Sequence, residues 1–145
     1  MKKIIVINGP SLNLLGNREP EIYGKTTLAE IEDLSKKKAK ELNLELNFYQ
    51  SNSESEIINW IHKVQSDFDG LIINPAAFTH TSVALLDALK SLSKPKIEIH
   101  LSNIYSREDF RKNSITSKGV NGIIIGFGSL SYILAIEAIN SLLTD

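Results

Sequence analysis

The sequence predicts a doubly wound α/β domain, because short β-branched runs alternate with longer amphipathic segments along its whole length. Several of those runs are nearly continuous Ile and Val, as parallel strands covered on both faces require. No repeat, low-complexity tract or Pro/Gly-rich linker divides the 145 residues, so one domain spanning 1–145 is expected.

The elements follow in order. KIIVIN at 3–8 forms the first strand. A helix at 27–42 keeps Leu28, Ile31, Leu34 and Leu42 to one side and turns KKKAK to solvent. LELNFYQ at 44–50 is the second strand, 54–67 the next helix, and GLIIN at 70–74 the third strand. The helix at 82–92 carries Val83, Leu85, Leu86, Leu89 and Leu92 as a stripe, and SKP stops it before KIEIHL at 96–101. A short helix near 106–112, the strand NGIIIGF at 121–127 and a helix at 129–143 complete the chain. Strands one, three and five are expected to be covered on both faces. Five parallel strands favour the flavodoxin-like order 2-1-3-4-5. Ligands in such sheets bind beyond the carboxyl ends of the strands, in the crevice where strand order reverses, here between strands one and three.

Composition removes several classes of function. Sixteen basic residues against 17 acidic leave no broad field to hold nucleic acid or an anionic membrane. Without cysteines there is no disulfide framework or thiolate chemistry. No apolar stretch approaches the roughly 20 residues that cross a bilayer. The run Ile4 to Ile7 is too short for a secretory signal, so the cytoplasm is the expected compartment.

The expected strand ends supply Asn8, Pro10, Ser11, Gln50, Asn52, Asn74, His100, Ser102, Gly126 and Gly128, a set that is polar but not acidic. A phosphorylatable receiver would need carboxylates where Asn8 and Asn74 stand. A flavin-phosphate loop would need Ser/Thr and glycine amides, whereas PSLNLLGNREP is apolar and broken by proline. GFGSLS at 126–131 lacks its third glycine and a following strand, and reads as a tight turn.

Proton transfer has three histidine candidates. His62 reads as a helix-surface residue, and His80 sits in a loop where Thr81 or Ser82 could cap the next helix. His100 ends a strand at the crevice, with Glu98 on the same side to orient its ring. No spacing suggests a metal site. The first strand and first helix are separated by roughly 18 residues, against about two to six in most α/β connections, which suggests a binding loop. Within it lie Arg18, Tyr23 and Lys25. A phenol of ordinary pKa near 10 is about 0.1% ionised at pH 7, which costs a base roughly 4 kcal/mol in population. A guanidinium within about 4–6 Å would favour the phenolate. Arg107 and Arg111, one helical turn apart, suit a substrate carboxylate.

The opening stretch NGPSLNLLGNREPEIYGKT, with INPAAFTHTSVALLDAL and IEIHLSNIYSREDFR, closely resembles type II 3-dehydroquinate dehydratase from about residue 4 to 139. The resemblance implies dehydration of 3-dehydroquinate to 3-dehydroshikimate through an enolate, with no cofactor. It also implies a flavodoxin-like subunit in a homo-oligomer, a dodecamer of trimers. By position the catalytic base falls on Tyr23, the arginine that activates it on Arg18 and the proton donor on His100. Substrate-binding residues fall on Asn74, His80, Leu101, Ser102 and Arg111, and an aspartate reaching a neighbouring subunit's site falls on Asp87. Glu98 and Arg107 take supporting roles. Ser11 stands where the family usually has Asn, SES at 53–55 where it commonly has HEG, and Tyr105 where His is frequent. A Schiff-base route would need a crevice lysine, and Lys96 lies at the wrong end of its strand. A non-catalytic binding module, towards which only Ser11 leans, is the alternative.

Overall fold

The computed structural model describes residues 1–17 and 19–144 and, of Tyr23, the backbone alone. Its elements run β1 (Lys2–Asn8), α1 (Pro20–Tyr23), α2 (Leu28–Glu41), β2 (Leu44–Gln50), α3 (Glu54–Asp67), β3 (Gly70–Asn74), α4 (Val83–Ser91), β4 (Lys96–His100), β5 (Gly122–Ile125) and α5 (Leu130–Thr144). All strand pairs are parallel and the order is β2-β1-β3-β4-β5, as expected.

Local chemistry sets where the helices begin. Thr27 and Glu30 form a reciprocal capping box at α2, while the Ser53 and Ser82 hydroxyls accept from Glu56 and Leu85 amides to open α3 and α4. Strand alternation then splits the apolar side chains between two layers. Ile4, Val6, Ile72, Ile97 and Ile99 meet Ile31 of α2 and Tyr132, Ile136 and Ile139 of α5. Ile5, Ile7, Leu71 and Ile73 meet Ile57, Ile61 and Val64 of α3 and Leu85 and Leu89 of α4. Each fully buried aliphatic contributes about 1.5–3 kcal/mol relative to exposure. On β4 the second face carries Glu98 and His100 instead, both buried.

Several expectations need correction. β5 is not covered on both faces: it pairs with β4 alone at the sheet edge, and Ile123 is 42% exposed. An isoleucine run reports apolar surroundings without saying whether they come from another strand, a helix or nothing in this chain. Leu34 and Val83, assigned to apolar stripes, are exposed. Residues 106–112 form no α-helix: 3-10 turns at Ile104–Ser106 and Asp109–Lys112 are parted by extended backbone at Arg107 and Glu108. So short a segment has too few hydrogen bonds to offset helix nucleation. The long first connection is partly ordered by a 3-10 turn at Leu12–Leu14 and by α1.

At the carboxyl ends the register aligns Asn8 with Gln50 on one side and Asn74 on the other. The two loops leaving β1 and β3 then run in contact. The Gly9 amide donates to Asn74 O at 2.8 Å, and a Cβ at Gly9 would stand 2.4 Å from the Pro75 carbonyl oxygen. Only glycine permits that approach.

Candidate functional site

A carboxamide array forms the base of the crevice. The Asn8 side-chain NH2 donates to Tyr49 O at 2.9 Å, and its Oδ1 accepts from the Tyr132 hydroxyl at 2.6 Å. That hydroxyl accepts in turn from Asn74 Nδ2 at 3.1 Å, and Asn74 Oδ1 accepts from the Ala76 amide at 3.2 Å. Each donor in the chain has one acceptor, so both amides are held in one orientation. Burial pushes the Tyr132 hydroxyl up from the ordinary phenol value, which keeps it neutral and able to donate. Nothing in the sequence marked Tyr132, a helix residue 58 positions from Asn74.

Gln50 and Asn52 secure the other wall. Gln50 Nε2 donates to Gly9 O at 3.2 Å and to Asn52 Oδ1 at 3.1 Å, and the Ser11 amide donates to Asn52 Oδ1 at 2.9 Å. Ser11 is thereby held at φ 67°, a left-handed conformation that Asn adopts more readily than Ser.

His100 and Glu98 form a buried pair, with Nε2 2.7 Å from Oε2. Burial alone would raise the Glu98 carboxyl. Hydrogen bonding and charge from His100, then the Thr116 and Ser117 hydroxyls, outweigh it and hold Glu98 below the ordinary carboxylate value. An ionised carboxylate can only accept, so Nε2 must carry the hydrogen between them. The Glu98 contact therefore leaves Nδ1 as the ring nitrogen available for proton exchange. The expectation that Glu98 orients the ring agrees with this geometry.

Above this pair lies a cavity whose polar lining includes Ser11, Asn74, His100, Ser102, Arg107 and Arg111, with Leu101 and Ile104 among its apolar walls. The two arginines converge as expected, but through the loop rather than a shared helix face. Arg107 lies 4.0 Å from Glu19 and 3.9 Å from Glu108. Arg111 Nε lies 2.8 Å from Glu108 Oε2, an ion-pair contact in which the N–H is not directed at the carboxylate.

The remaining candidates are more scattered. His80 does not line the cavity; it is half-buried, and its Nδ1 lies 2.7 Å from Asn113 O. Asp87 is exposed on α4, and His62 is exposed on α3. Arg18 and the side chain of Tyr23 lie outside the described residues. Lys96 is at the opposite end of the sheet, its Nζ donating to Leu92 O at 2.6 Å, and burial lowers its pKa. The site also contains residues that sequence reasoning missed: Thr79, Ser114, Thr116 and Ser117 all reach Glu98. Their hydroxyls sit in ordinary loop composition, where Ser and Thr carry no signal of their own.

Comparison with known proteins adds a second, independent line. Residues 2–140 match the family described as Dehydroquinase class II. The chain is 54% identical over 144 residues to the 3-dehydroquinate dehydratase of Caldicellulosiruptor saccharolyticus, covering 99% of each. It is 51% identical over 142 residues to that of Caldanaerobacter subterraneus subsp. tengcongensis, covering 98% of this chain and 96% of the relative. Its fold is similar to a crystal structure of type II dehydroquinase from Butyrivibrio crossotus, with TM-score 0.94, 45% identity and coverage of 96% and 97%.

Proposed function

The chain belongs to the class II dehydroquinase family, and we propose that it removes water from 3-dehydroquinate with Tyr23 as base and His100 as acid. The reaction is that of a hydro-lyase, giving 3-dehydroshikimate in the shikimate pathway. The observation that carries the acid role is the His100–Glu98 pair: one ring nitrogen is committed to a buried carboxylate, and the ring lines the cavity.

In this mechanism Tyr23, ionised beside the Arg18 guanidinium, takes the proton next to the substrate ketone and becomes a neutral phenol. The electron pair moves onto the carbonyl oxygen as an enolate, which a water held near Ser11 and the loop after Asn74 stabilises. The Ala76 amide is engaged by Asn74 Oδ1, and Ala77 beside it also lines the cavity. As the enolate collapses, the hydroxyl leaves and His100 Nδ1 protonates it, producing water. Arg111 holds the substrate carboxylate, Asn74, His80 and Ser102 bind its hydroxyls, and Leu101 packs against the ring. Asp87 serves a neighbouring subunit's site, in a dodecamer of trimers working in the cytoplasm. His80 and Asp87 need such completion, since neither lines the cavity of the single subunit. Closure of residues 9–25 excludes water and strengthens these contacts.

Phenolate and imidazolium must coexist, so activity should be bell-shaped in pH. Mixing the protein with 3-dehydroquinate and following the absorbance of the conjugated enone tests the reading. The expected result is turnover by the wild type and binding without turnover by Tyr23→Phe. Near-normal turnover by that variant removes Tyr23 from the mechanism, and a wild type that binds without forming enone is a binding module.

A further inference from the structure

Glu98 is buried within a set of hydroxyls that none of the reaction steps uses. Thr116 donates to Oε1 at 2.6 Å, and Ser117 donates to Oε2 at 2.7 Å, beside the His100 contact. Behind them stand Thr79, 2.6 Å from Thr116 Oγ1, and Ser114, in contact with Ser117 Oγ. Thr79 and Ser114 also lie 2.6 Å from each other, and reach Oε2 only at 3.1 and 3.2 Å.

Proton counting orders this set. Four hydroxyls hold four hydrogens, and each can donate only once. The assignment that uses the shortest carboxylate contacts has Thr79 donate to Thr116, which donates to Oε1, and Ser114 donate to Ser117, which donates to Oε2. Each hydroxyl facing the carboxylate is then polarised by one behind it. The cross-strand neighbours of Glu98 are Ile73 and Ile123, which can neither donate nor carry charge. Among the described residues His100 is the charged group that faces Glu98. Arg107 and Arg111 line the cavity, and His80 on the 76–80 turn is directed at Asn113 O.

We propose that Thr116 and Ser117, backed by Thr79 and Ser114, are positioning residues for the proton donor. Their hydroxyls keep Glu98 a carboxylate so that its partner ring holds its proton on the cavity side until it is spent. With these donors gone, burial favours the neutral pair. The proton passes from imidazolium to Glu98, and His100 is left as neutral imidazole with hydrogen on Nδ1 and Nε2 accepting. Such a ring is a poor acid. The segment 113–117 is fastened to the 76–80 turn by Ile115 N donating to Thr79 O at 2.7 Å, so the loop that ends in the cage also continues from Arg111. The inference rests on His100 being the acid.

Thr116→Val preserves shape in a fully buried position, and Ser117→Ala provides a second variant at a half-buried one. Each should lower kcat on 3-dehydroquinate roughly tenfold or more, the usual effect of losing a hydrogen bond to a charged group, with KM within about twofold. Thr116→Ser should restore kcat. In 15N spectra of histidine-labelled protein, His100 should change from protonated on both ring nitrogens in the wild type to neutral and protonated on Nδ1 alone in the variants. A kcat within about threefold of wild type, or a loss of kcat with the His100 signals unchanged, would overturn the proposal. Absence of enone formation by the wild type would instead sink the dehydratase reading, and the His100 spectra of the variants would still decide on the cage.

Discussion

Replacing Glu98 by Gln keeps the length of the side chain in a fully buried site, removes its charge and exchanges one of its two accepting oxygens for an NH2 donor. The pair it disrupts is close, 2.7 Å, with the His100 and Glu98 side chains 6% and 0% exposed, so water screens it little. Charges about 4 Å apart at an effective dielectric of about 20 attract by about 4 kcal/mol. A hydrogen bond to a charged group contributes about 1.5–3 kcal/mol, part of which the amide oxygen can retain. Imidazolium should thus lose about 2–4 kcal/mol of stabilisation in Glu98→Gln. If that loss reaches the transition state, kcat falls on the order of 30- to 1000-fold. KM should stay near the wild-type value, because Glu98 does not line the cavity. The assay is enone formation at saturating 3-dehydroquinate across pH 5 to 9, with a cooperative thermal melt to separate lost chemistry from lost fold. A kcat within threefold of wild type and a superimposable pH profile would refute the reasoning.

Tyr132→Phe leaves the Asn8 and Asn74 amides without the hydroxyl between them, so denaturant unfolding should show a loss of about 1–3 kcal/mol and KM should rise severalfold; unchanged values for both would show that the bridge does not orient Asn74. Gly9→Ala drives a methyl into the Pro75 carbonyl and should cost about 1–3 kcal/mol in the same measurement, together with kcat/KM, as the two loops part. Acid stability follows from the lowered Glu98 carboxyl. Its contribution is fully present above the ordinary value of 4.5 and is lost as pH falls through the lower folded value. Because Glu98→Gln does not titrate, the difference in melting temperature between it and wild type should shrink as pH falls below about 4.5.

Much of the site was legible because the fold places strand ends predictably. Period-two alternation put Glu98 and His100 on one side of β4, and the strand order put His100 and Asn74 at the same crevice. Arg107 and Arg111 were expected together on a helix that does not exist; they meet because two 3-10 turns bend the loop over the cavity. Tyr132 and the Glu98 hydroxyls were illegible. Their partners are distant in the chain, Tyr132 being 58 positions from Asn74 and Thr116 18 positions from Glu98. A tyrosine in a helix or a serine in a loop looks the same in sequence whether it touches water or a buried carboxylate.

By itself the sequence determined the α/β alternation, the sheet order, the location of the crevice and the chemical types that reach it. These depend on local periodicity and on the few ways parallel strands can connect. Tertiary structure alone decided that one face of β5 is left exposed, that Asn74 is locked through Tyr132 to Asn8, and that Glu98 pairs with His100 among hydroxyls from two separate turns. Hydrogen-bond partnership and burial are properties of which surfaces meet. Apolar patterning selects the packing that brings them together, while the individual contacts exist only once that packing has formed.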